Sequence, residues 1–173
     1  PKVRQGAVGF AVVANSADGI GYKAFDRFVG GATTSRLEVS NGYLYRFDDA
    51  GRATHIEGQL LSNAAQGRSA QAQLGAGGSY RLPTDEGGHF VGRRFDGPLD
   101  DFNHFAQDRN FNRGAYKALE NGWQRALDKG QSVYVDIKPS YPGASLRPDI
   151  LDVTYTIDSM PYQTVFKNRP GGR

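Results

Sequence analysis

Residues 85–120 read DEGGHFVGRRFDGPLDDFNHFAQDRNFNRGAYKALE, and this stretch decides how the rest of the sequence is interpreted. It contains two of the three histidines, His89 and His104, the separated asparagines Asn103 and Asn112, and a group of arginines. A neutral imidazole can take a proton from water near neutral pH. An amide or carboxylate oxygen can hold a hard cation such as Mg²⁺, and guanidinium groups can pair with phosphate oxygens. The combination favours metal-assisted hydrolysis of a phosphodiester.

The composition is that of a folded protein with a mildly basic surface. The 173 residues are 38% hydrophobic and 12% aromatic, which argues against disorder throughout. A net charge of +3 and a pI near 9.2 permit a polyanionic partner without requiring one. The absence of cysteine excludes disulfides and a thiolate zinc site. No apolar run approaches the roughly 20 residues that a membrane-spanning helix needs.

The sequence predicts a single α+β domain over residues 1–173, with a twisted antiparallel sheet and one dominant helix. Residues 1–40 are an N-terminal extension of uncertain structure, and residues 43–168 form the core. The N-terminus lacks a methionine and has no signal-peptide pattern, so we expect a piece of a longer chain. Alternation, apolar spacing and turn residues predict the following elements: strands at 7–13, 43–47, 53–60, 132–138, 151–157 and 162–166; an unstructured insert at 62–80; an irregular loop at 102–111; a helix from Asn112 or Arg113 to about Lys129; and a frayed tail from Asn168.

Three side chains in the deciding stretch are candidates for the chemistry. His89 follows two glycines and stands beside metal-binding and phosphate-binding residue types, so a catalytic role is favoured. Asn112 could cap a helix, or it could direct its amide oxygen at a cation. Glu120 comes about two helical turns later and could hold the water shell of a cation on the same face, or it could be an ordinary solvated side chain. Asn103 and Gln107 could support the site or simply form loop hydrogen bonds.

Four arginines lie within 21 residues: Arg93, Arg94, Arg109 and Arg113. One or two are expected to contact phosphate, and the others to pair with nearby aspartates. The remaining histidines have weaker cases. His55 lies in a predicted strand without arginine or amide neighbours and is interpreted as a cross-strand residue, and His104 as structural or at the substrate rim.

Other chemistries remain open from the residues alone. Asp85 and Glu86 with Glu120 could form a carboxylate pair for glycoside hydrolysis, although such pairs arise by chance. A Ser-His-Asp triad is not excluded by composition, but no G-x-S-x-G motif is present. A β domain that binds nucleic acid or protein without catalysis is the alternative from another functional class.

The segments DEGGHFVGRRFDGP and NHFAQDRNFNRGAYKALENGW resemble the DNA/RNA non-specific endonucleases of the ββα-metal (His-Me finger) superfamily. The likeness covers about residues 43–168 and is closest to toxin domains at the C-termini of bacterial polymorphic and secreted toxins. It implies that His89 is the general base, that Asn112 ligates Mg²⁺ (or another divalent cation such as Mn²⁺), and that Glu120 holds the water shell of the ion. One departure matters, because members with a DRGH motif carry arginine where this chain has Gly87.

The departure leaves the arginine that offsets transition-state charge to be supplied by Arg93 or Arg94. Asn103, Arg109 and Arg113 are assigned to substrate binding. The resemblance implies largely sequence-independent cleavage of DNA, and perhaps of RNA, by a toxin domain that is secreted into a target-cell cytoplasm. It also implies a cognate immunity protein that blocks the cleft.

Overall fold

The computed structural model describes residues 10–11, 22–25, 36–62, 67 and 69–173. Within these ranges, the predicted strand at 7–13 is represented by the short strand Phe10–Ala11, and its other residues lie outside the description. Arg68, a loop arginine that could reach a polyanion but is more simply interpreted as solvated, also lies outside the described residues. Among the described residues, no helix is both long enough and apolar enough to cross a bilayer.

A large antiparallel sheet forms one layer of the fold. Its eight strands lie side by side in chain order. A separate two-stranded hairpin and the long helix come between the fifth and sixth of these strands in the sequence. The strands are β1 (Phe10–Ala11), β2 (Tyr22–Phe25), β3 (Arg36–Ser40), β4 (Tyr43–Phe47), β5 (Ala53–Gln59), β8 (Val133–Ser140), β9 (Ile150–Ile157) and β10 (Met160–Lys167). The predicted hairpin at 43–60 and the three later strands are confirmed.

Alternating burial shows which face of the sheet is the core. In β8, Val133, Val135 and Ile137 are fully buried, whereas the residues between them are exposed or half-buried. The same period-two pattern places Ile56 of β5 on the buried face. The sheet therefore has one apolar face covered by the second layer and one face that carries polar side chains.

The second layer consists of a hairpin and a long helix. The hairpin pairs β6 (Asp85–His89) with β7 (His104–Asp108). The long helix follows at once as α2 (Arg109–Phe111), a π-helical turn at Asn112–Tyr116, and α3 (Lys117–Asp128). A ββα unit on an antiparallel sheet confirms the predicted α+β class.

The long helix packs its apolar stripe against the sheet. Tyr116, Trp123 and Ala126 are buried at the helical spacing that the sequence predicts. Gly130, with a φ of 77°, follows the last turn and supplies the left-handed residue that ends a helix.

Two predicted loops are wrong. The insert at 62–80 contains α1 (Ala70–Gly75), which Ser69 caps by accepting a hydrogen bond from the Ala72 N–H, and a 3₁₀ turn at Gly78–Tyr80. Helix-forming alanine, glutamine and leucine explain α1. The segment 102–111 contains β7, in which all five residues are buried, so no alternating pattern marks it in the sequence.

The start of the long helix also differs from the prediction. It begins at Arg109, because the Asp108 carboxylate accepts hydrogen bonds from the N–H groups of Asn110 and Phe111. Asn112 is therefore inside the helix and does not cap it.

The tail is packed rather than frayed. Asn168 is 4% exposed, and its side chain donates to the carbonyl oxygens of Ala106 and Pro148. Gly172 is buried so closely against Phe111 that a Cβ there would lie 2.7 Å from the ring. Buried hydrogen bonds and aromatic contact thus fix the residues after β10.

Candidate active site

A cleft of about 770 Å³ lies between β6, α1, the loop after β6 and the long helix. His89, Asn112 and Glu120, which are far apart in sequence, all line it. Its described lining residues are Ala70, Gln73, Leu74, Arg81, Glu86, Gly87, His89, Gly92, Arg93, Arg94, Asn112, Arg113 and Glu120. The structure therefore brings the three candidates for the chemistry to one open surface.

The β6–β7 hairpin positions His89. Gly87 allows α1 to approach, because a Cβ at this position would lie 2.4 Å from the Cα and the carbonyl oxygen of Gln73. An arginine at position 87 would displace that backbone. The absence of arginine two residues before His89 thus has a steric reason in this fold.

His104 stands across the hairpin from His89, with ring centroids 4.4 Å apart. Burial lowers the pKa of His104, outweighing the carbonyl oxygen of Asp100 and nearby carboxylates that act to raise it. Its Nδ1 donates to that carbonyl oxygen over 2.9 Å. The ring therefore stays neutral near pH 7 and places no positive charge beside His89. His104 is buried and does not line the cleft, which favours a structural role over one at the substrate rim.

The π-helical turn presents Asn112 to the cleft. The Asn112 Nδ2 donates to Glu86 over 3.0 Å, which leaves the amide oxygen as the atom available to a ligand. Arg113 forms a salt bridge with the same carboxylate. Partial burial acts to raise the pKa of Glu86, but the hydrogen bonds from Arg113 and Asn112 and the charges of Arg113 and Arg109 lower it overall. Glu86 thus remains ionised and orients Asn112.

Glu120 is a carboxyl group held in a poorly solvated part of the cleft. Burial raises the pKa of Glu120 to about 7, although the charges of Arg94 and Lys117 act in the opposite direction. A Cβ at Gly92 would lie 2.4 Å from its Oε1, so the glycine allows the carboxylate to lie directly against the backbone of the loop after β6. A group with this pKa is able to change charge near neutral pH.

Two cleft arginines stand on the loop after β6. The Arg94 Nη1 donates to the Asn121 side chain over 2.7 Å, which ties Arg94 to the long helix. Arg93 donates to the carbonyl oxygens of Gly67 and Gly97. Both guanidinium groups are therefore anchored beside the three candidate side chains.

The other arginines occupy different positions. Arg81, which sequence reasoning missed because it precedes the deciding stretch, lines the cleft and donates to the carbonyl oxygens of Gln73 and Asp85. Arg109 is not among the described residues that line the cleft, although its Nε lies 3.5 Å from Glu86. The described lining thus has four arginines against the two carboxylates of Glu86 and Glu120, which makes it net positive.

Asn103 does not bind substrate, which corrects the assignment from sequence. Its side chain is fully buried, its Oδ1 accepts from Tyr45 and from the Val91 N–H, and its Nδ2 donates to the carbonyl oxygens of Val91 and Pro98. With all four hydrogen bonds made, the amide has no capacity left for a ligand. Asn103 instead closes the loop that carries the two anchored arginines.

The remaining polar candidates also lie away from the cleft. Gln107 is fully buried in β7, and Asp85 is sequestered by Arg147 over 2.7 and 3.0 Å. A carboxylate pair for glycoside hydrolysis that includes Asp85 is therefore not available at this surface. His55 lies on the large sheet, outside the cleft lining.

The cleft residues fit a hard divalent cation. The amide oxygen of Asn112 and the carboxylate of Glu120 are oxygen donors of the kind that Mg²⁺ and Mn²⁺ prefer. Both side chains line the open cleft, so a cation held between them would remain accessible to water and to a substrate phosphate. Burial raises the pKa of Glu120 more than the charges of Arg94 and Lys117 lower it, so a bound cation would further stabilise the ionised carboxylate.

Sequence comparison relates the chain to nucleases. The profile of the family described as DNA/RNA non-specific endonuclease matches residues 34–159. Type VII secretion system protein EssD of Staphylococcus aureus (strain USA300) is 37% identical over 123 residues, which are 68% of this chain and 20% of that protein. The chain thus spans about a fifth of the length of the curated relatives it matches.

Solved structures share the fold at low sequence identity. NucA from Streptococcus agalactiae with a magnesium ion bound superposes with a TM-score of 0.62 at 13% identity, covering 96% of this chain and 85% of that one. The Sda1 nuclease with a bound zinc ion gives a TM-score of 0.61 at 15% identity, covering 83% of this chain and 80% of that one. The resemblance inferred from sequence is confirmed.

Proposed function

The chain belongs to the DNA/RNA non-specific endonuclease family, and we propose that it is a metal-dependent endonuclease that hydrolyses phosphodiester bonds of DNA, with RNA as a second candidate substrate. The observation that carries the proposal is the meeting of His89, Asn112 and Glu120 in one positively lined cleft. An imidazole for proton transfer, oxygen donors for a cation and guanidinium groups for phosphate are the parts that this hydrolysis needs.

His89 is the proposed general base. It accepts a proton from the attacking water, and the neutral His104 ring beside it avoids a like charge that would disfavour the protonated imidazole. The water then attacks phosphorus in line with the leaving oxygen, and the protonated imidazole can return its proton to solvent.

Asn112 and Glu120 are the proposed holders of Mg²⁺ or Mn²⁺. When bound, such an ion acts as a Lewis acid on the phosphate and stabilises charge on the leaving oxygen. The Asn112 amide nitrogen donates to Glu86, which fixes the side chain and leaves its oxygen as the atom for the ion. Glu120 supplies a carboxylate, and a bound cation would stabilise its ionised form.

Arg93 and Arg94 are the proposed groups that offset charge on the equatorial phosphate oxygens. Both are already anchored, Arg94 through Asn121 and Arg93 through backbone carbonyls, so little reorganisation is needed during reaction. Arg113 and Arg109, which are 69% and 54% exposed, are placed to attract the flanking backbone. Contacts of this kind neutralise phosphates without reading bases, which supports sequence-independent cleavage.

The biological setting is proposed from the relatives. The matched protein is described as part of a type VII secretion system. We assign this chain the role of the toxin domain of a secreted antibacterial effector that acts in the target-cell cytoplasm. A net positive cleft would be blocked by an immunity protein with an acidic surface.

Plasmid nicking tests the proposal. Supercoiled DNA incubated with the protein in Mg²⁺ or Mn²⁺ should be nicked and then linearised, and EDTA should abolish both. His89→Gln should reduce the rate by at least about a hundredfold, because general-base catalysis contributes about 10²–10⁴.

His55→Gln is the matched control, since it makes the same chemical change outside the cleft. Equal nicking by the two variants would refute the role of His89. Binding of plasmid without cleavage in any divalent metal would instead identify a non-catalytic nucleic-acid-binding domain.

A further inference from the structure

A second group of metal-binding side chains lies on the opposite side of the large sheet from the cleft. His55 and Glu57 are two residues apart on β5 and so face the same way, and Asp136 is the β8 partner of Glu57. Ile56 and Val135, which alternate with them, are fully buried on the core face. The trio therefore occupies the polar face of the sheet and takes no part in the site described above.

The donor atoms of the trio converge on one point. One ligand atom from each residue lies within 4.8 Å of the other two. The His55 Nε2 is 2.8 Å from the Asp136 Oδ1 and 3.9 Å from the Glu57 Oε2. Two ligand atoms bound tetrahedrally to one Zn²⁺ at about 2.0–2.2 Å lie roughly 3.3–3.6 Å apart. The two observed distances lie on either side of this range, so small movements of the three side chains would complete a metal site.

The contact between His55 and Asp136 is not an aligned hydrogen bond. Although 2.8 Å apart, the Nε2 and the Oδ1 atoms are inaccessible to solvent, and neither has a hydrogen-bond partner among the described residues. Buried polar atoms usually have such a partner, so this pair requires an explanation. A shared cation satisfies both lone pairs at once.

Neighbouring side chains orient the two carboxylates. The Tyr134 hydroxyl donates to the Glu57 Oε2 over 3.1 Å, and the Lys138 Nζ donates to the Asp136 Oδ2 over 3.1 Å. Such outer contacts commonly fix metal ligands. Lys138 leaves the Oδ1 free for a metal, while its positive charge should weaken the affinity for a dication.

The geometry points to a zinc site in which His55, Glu57 and Asp136 bind one Zn²⁺ and water completes the coordination. One imidazole and two carboxylates suit zinc better than Mg²⁺, which prefers oxygen ligands. The ion would join β5 to β8 at the centre of the sheet and stabilise the folded chain. This site is independent of the proposed function.

Zinc titration of metal-free protein tests the inference, by calorimetry and by the melting temperature. One zinc per chain should bind outside the cleft, so Asn112→Ala should retain it. With zinc at about a hundredfold over Kd, the melting temperature should rise by about 5 °C or more.

Substitutions at the proposed ligands test whether these residues bind the zinc that raises the melting temperature. His55→Gln and Asp136→Asn should lose this zinc and the rise, whereas Asp152→Asn, which removes a carboxylate from the adjacent strand β9, should keep both. Circular dichroism and the metal-free melting temperature of each variant establish that it is folded. His55→Gln should also nick plasmid in Mg²⁺ at the wild-type rate. An undiminished rise in both ligand variants, or no zinc bound by the wild type, would overturn the site and leave an ion pair of His55 with two carboxylates.

Discussion

Replacement of Glu120 by glutamine should make the metal-free protein more stable at alkaline pH and leave it almost unchanged in acid. Burial raises the pKa of Glu120 from 4.5 to about 7. Below pH 4.5 the carboxyl is protonated in both the folded and the unfolded chain. Between pH 4.5 and 7 only the folded chain keeps the proton, so its stability falls as the pH rises.

The pKa change corresponds to about 3 kcal/mol above pH 7, as an upper estimate. Glu120→Gln removes the ionisable group but keeps its size. The difference in free energy of unfolding between variant and wild type should therefore grow from near zero at pH 4 to about 3 kcal/mol at pH 8. In Mg²⁺ this difference in free energy of unfolding should become smaller, because a cation would stabilise the ionised carboxylate of the wild type.

Urea denaturation in EDTA measures the difference. Trp123 is the single tryptophan and is 1% exposed, so its fluorescence reports the packing of the long helix. Asp128→Asn, on the exposed end of the same helix, controls for the loss of one negative charge. Parallel stability curves for wild type and Glu120→Gln from pH 4 to 8 would refute the reasoning.

Three further substitutions distinguish residues needed for activity from residues needed for stability. Gly92→Ala should push the Glu120 carboxylate aside, which a flexible side chain tolerates, so plasmid nicking should fall at least tenfold while the urea midpoint changes little. Gly87→Ala should lower the free energy of unfolding by about 1–3 kcal/mol, because the added methyl meets the α1 backbone; an unchanged midpoint would contradict this. Asp85→Asn should cost about 3–5 kcal/mol, because it leaves the largely buried charge of Arg147 without its carboxylate. Arg36→Ala, which breaks a more exposed pair, should cost less than about 1 kcal/mol, and equal losses would argue against the difference in burial.

The parts of the fold that the sequence predicts well are those with one buried face. Alternation in Val133–Ser140 and helical spacing from Tyr116 to Ala126 reflect a boundary between core and solvent. The strand His104–Asp108 escaped prediction because both of its faces are buried and its polar residues are buried too. Local pattern contains no signal for such a strand.

The residues of the candidate site were likewise predictable only where the sequence itself contains the signal. His89, Asn112 and Glu120 could be selected because their chemistry and spacing are visible in one stretch. Arg81 could not be selected from the sequence, because it lines the cleft only through its packing beside α1. Asn103 was misassigned because its residue type suits ligand binding, whereas the burial that saturates its amide is a tertiary property.

The packed tail bears on how the protein can be shortened for experiment. The family match ends at residue 159, but the Asn168 Oδ1 accepts from the Asp108 N–H over 2.8 Å at the junction of β7 and the long helix. A truncation at residue 159 would remove β10 and strip this buried N–H, and the Ala106 carbonyl, of their partner. Recombinant fragments cut at the family boundary should therefore misfold or lose the geometry around Asn112, and expression should extend through residue 172.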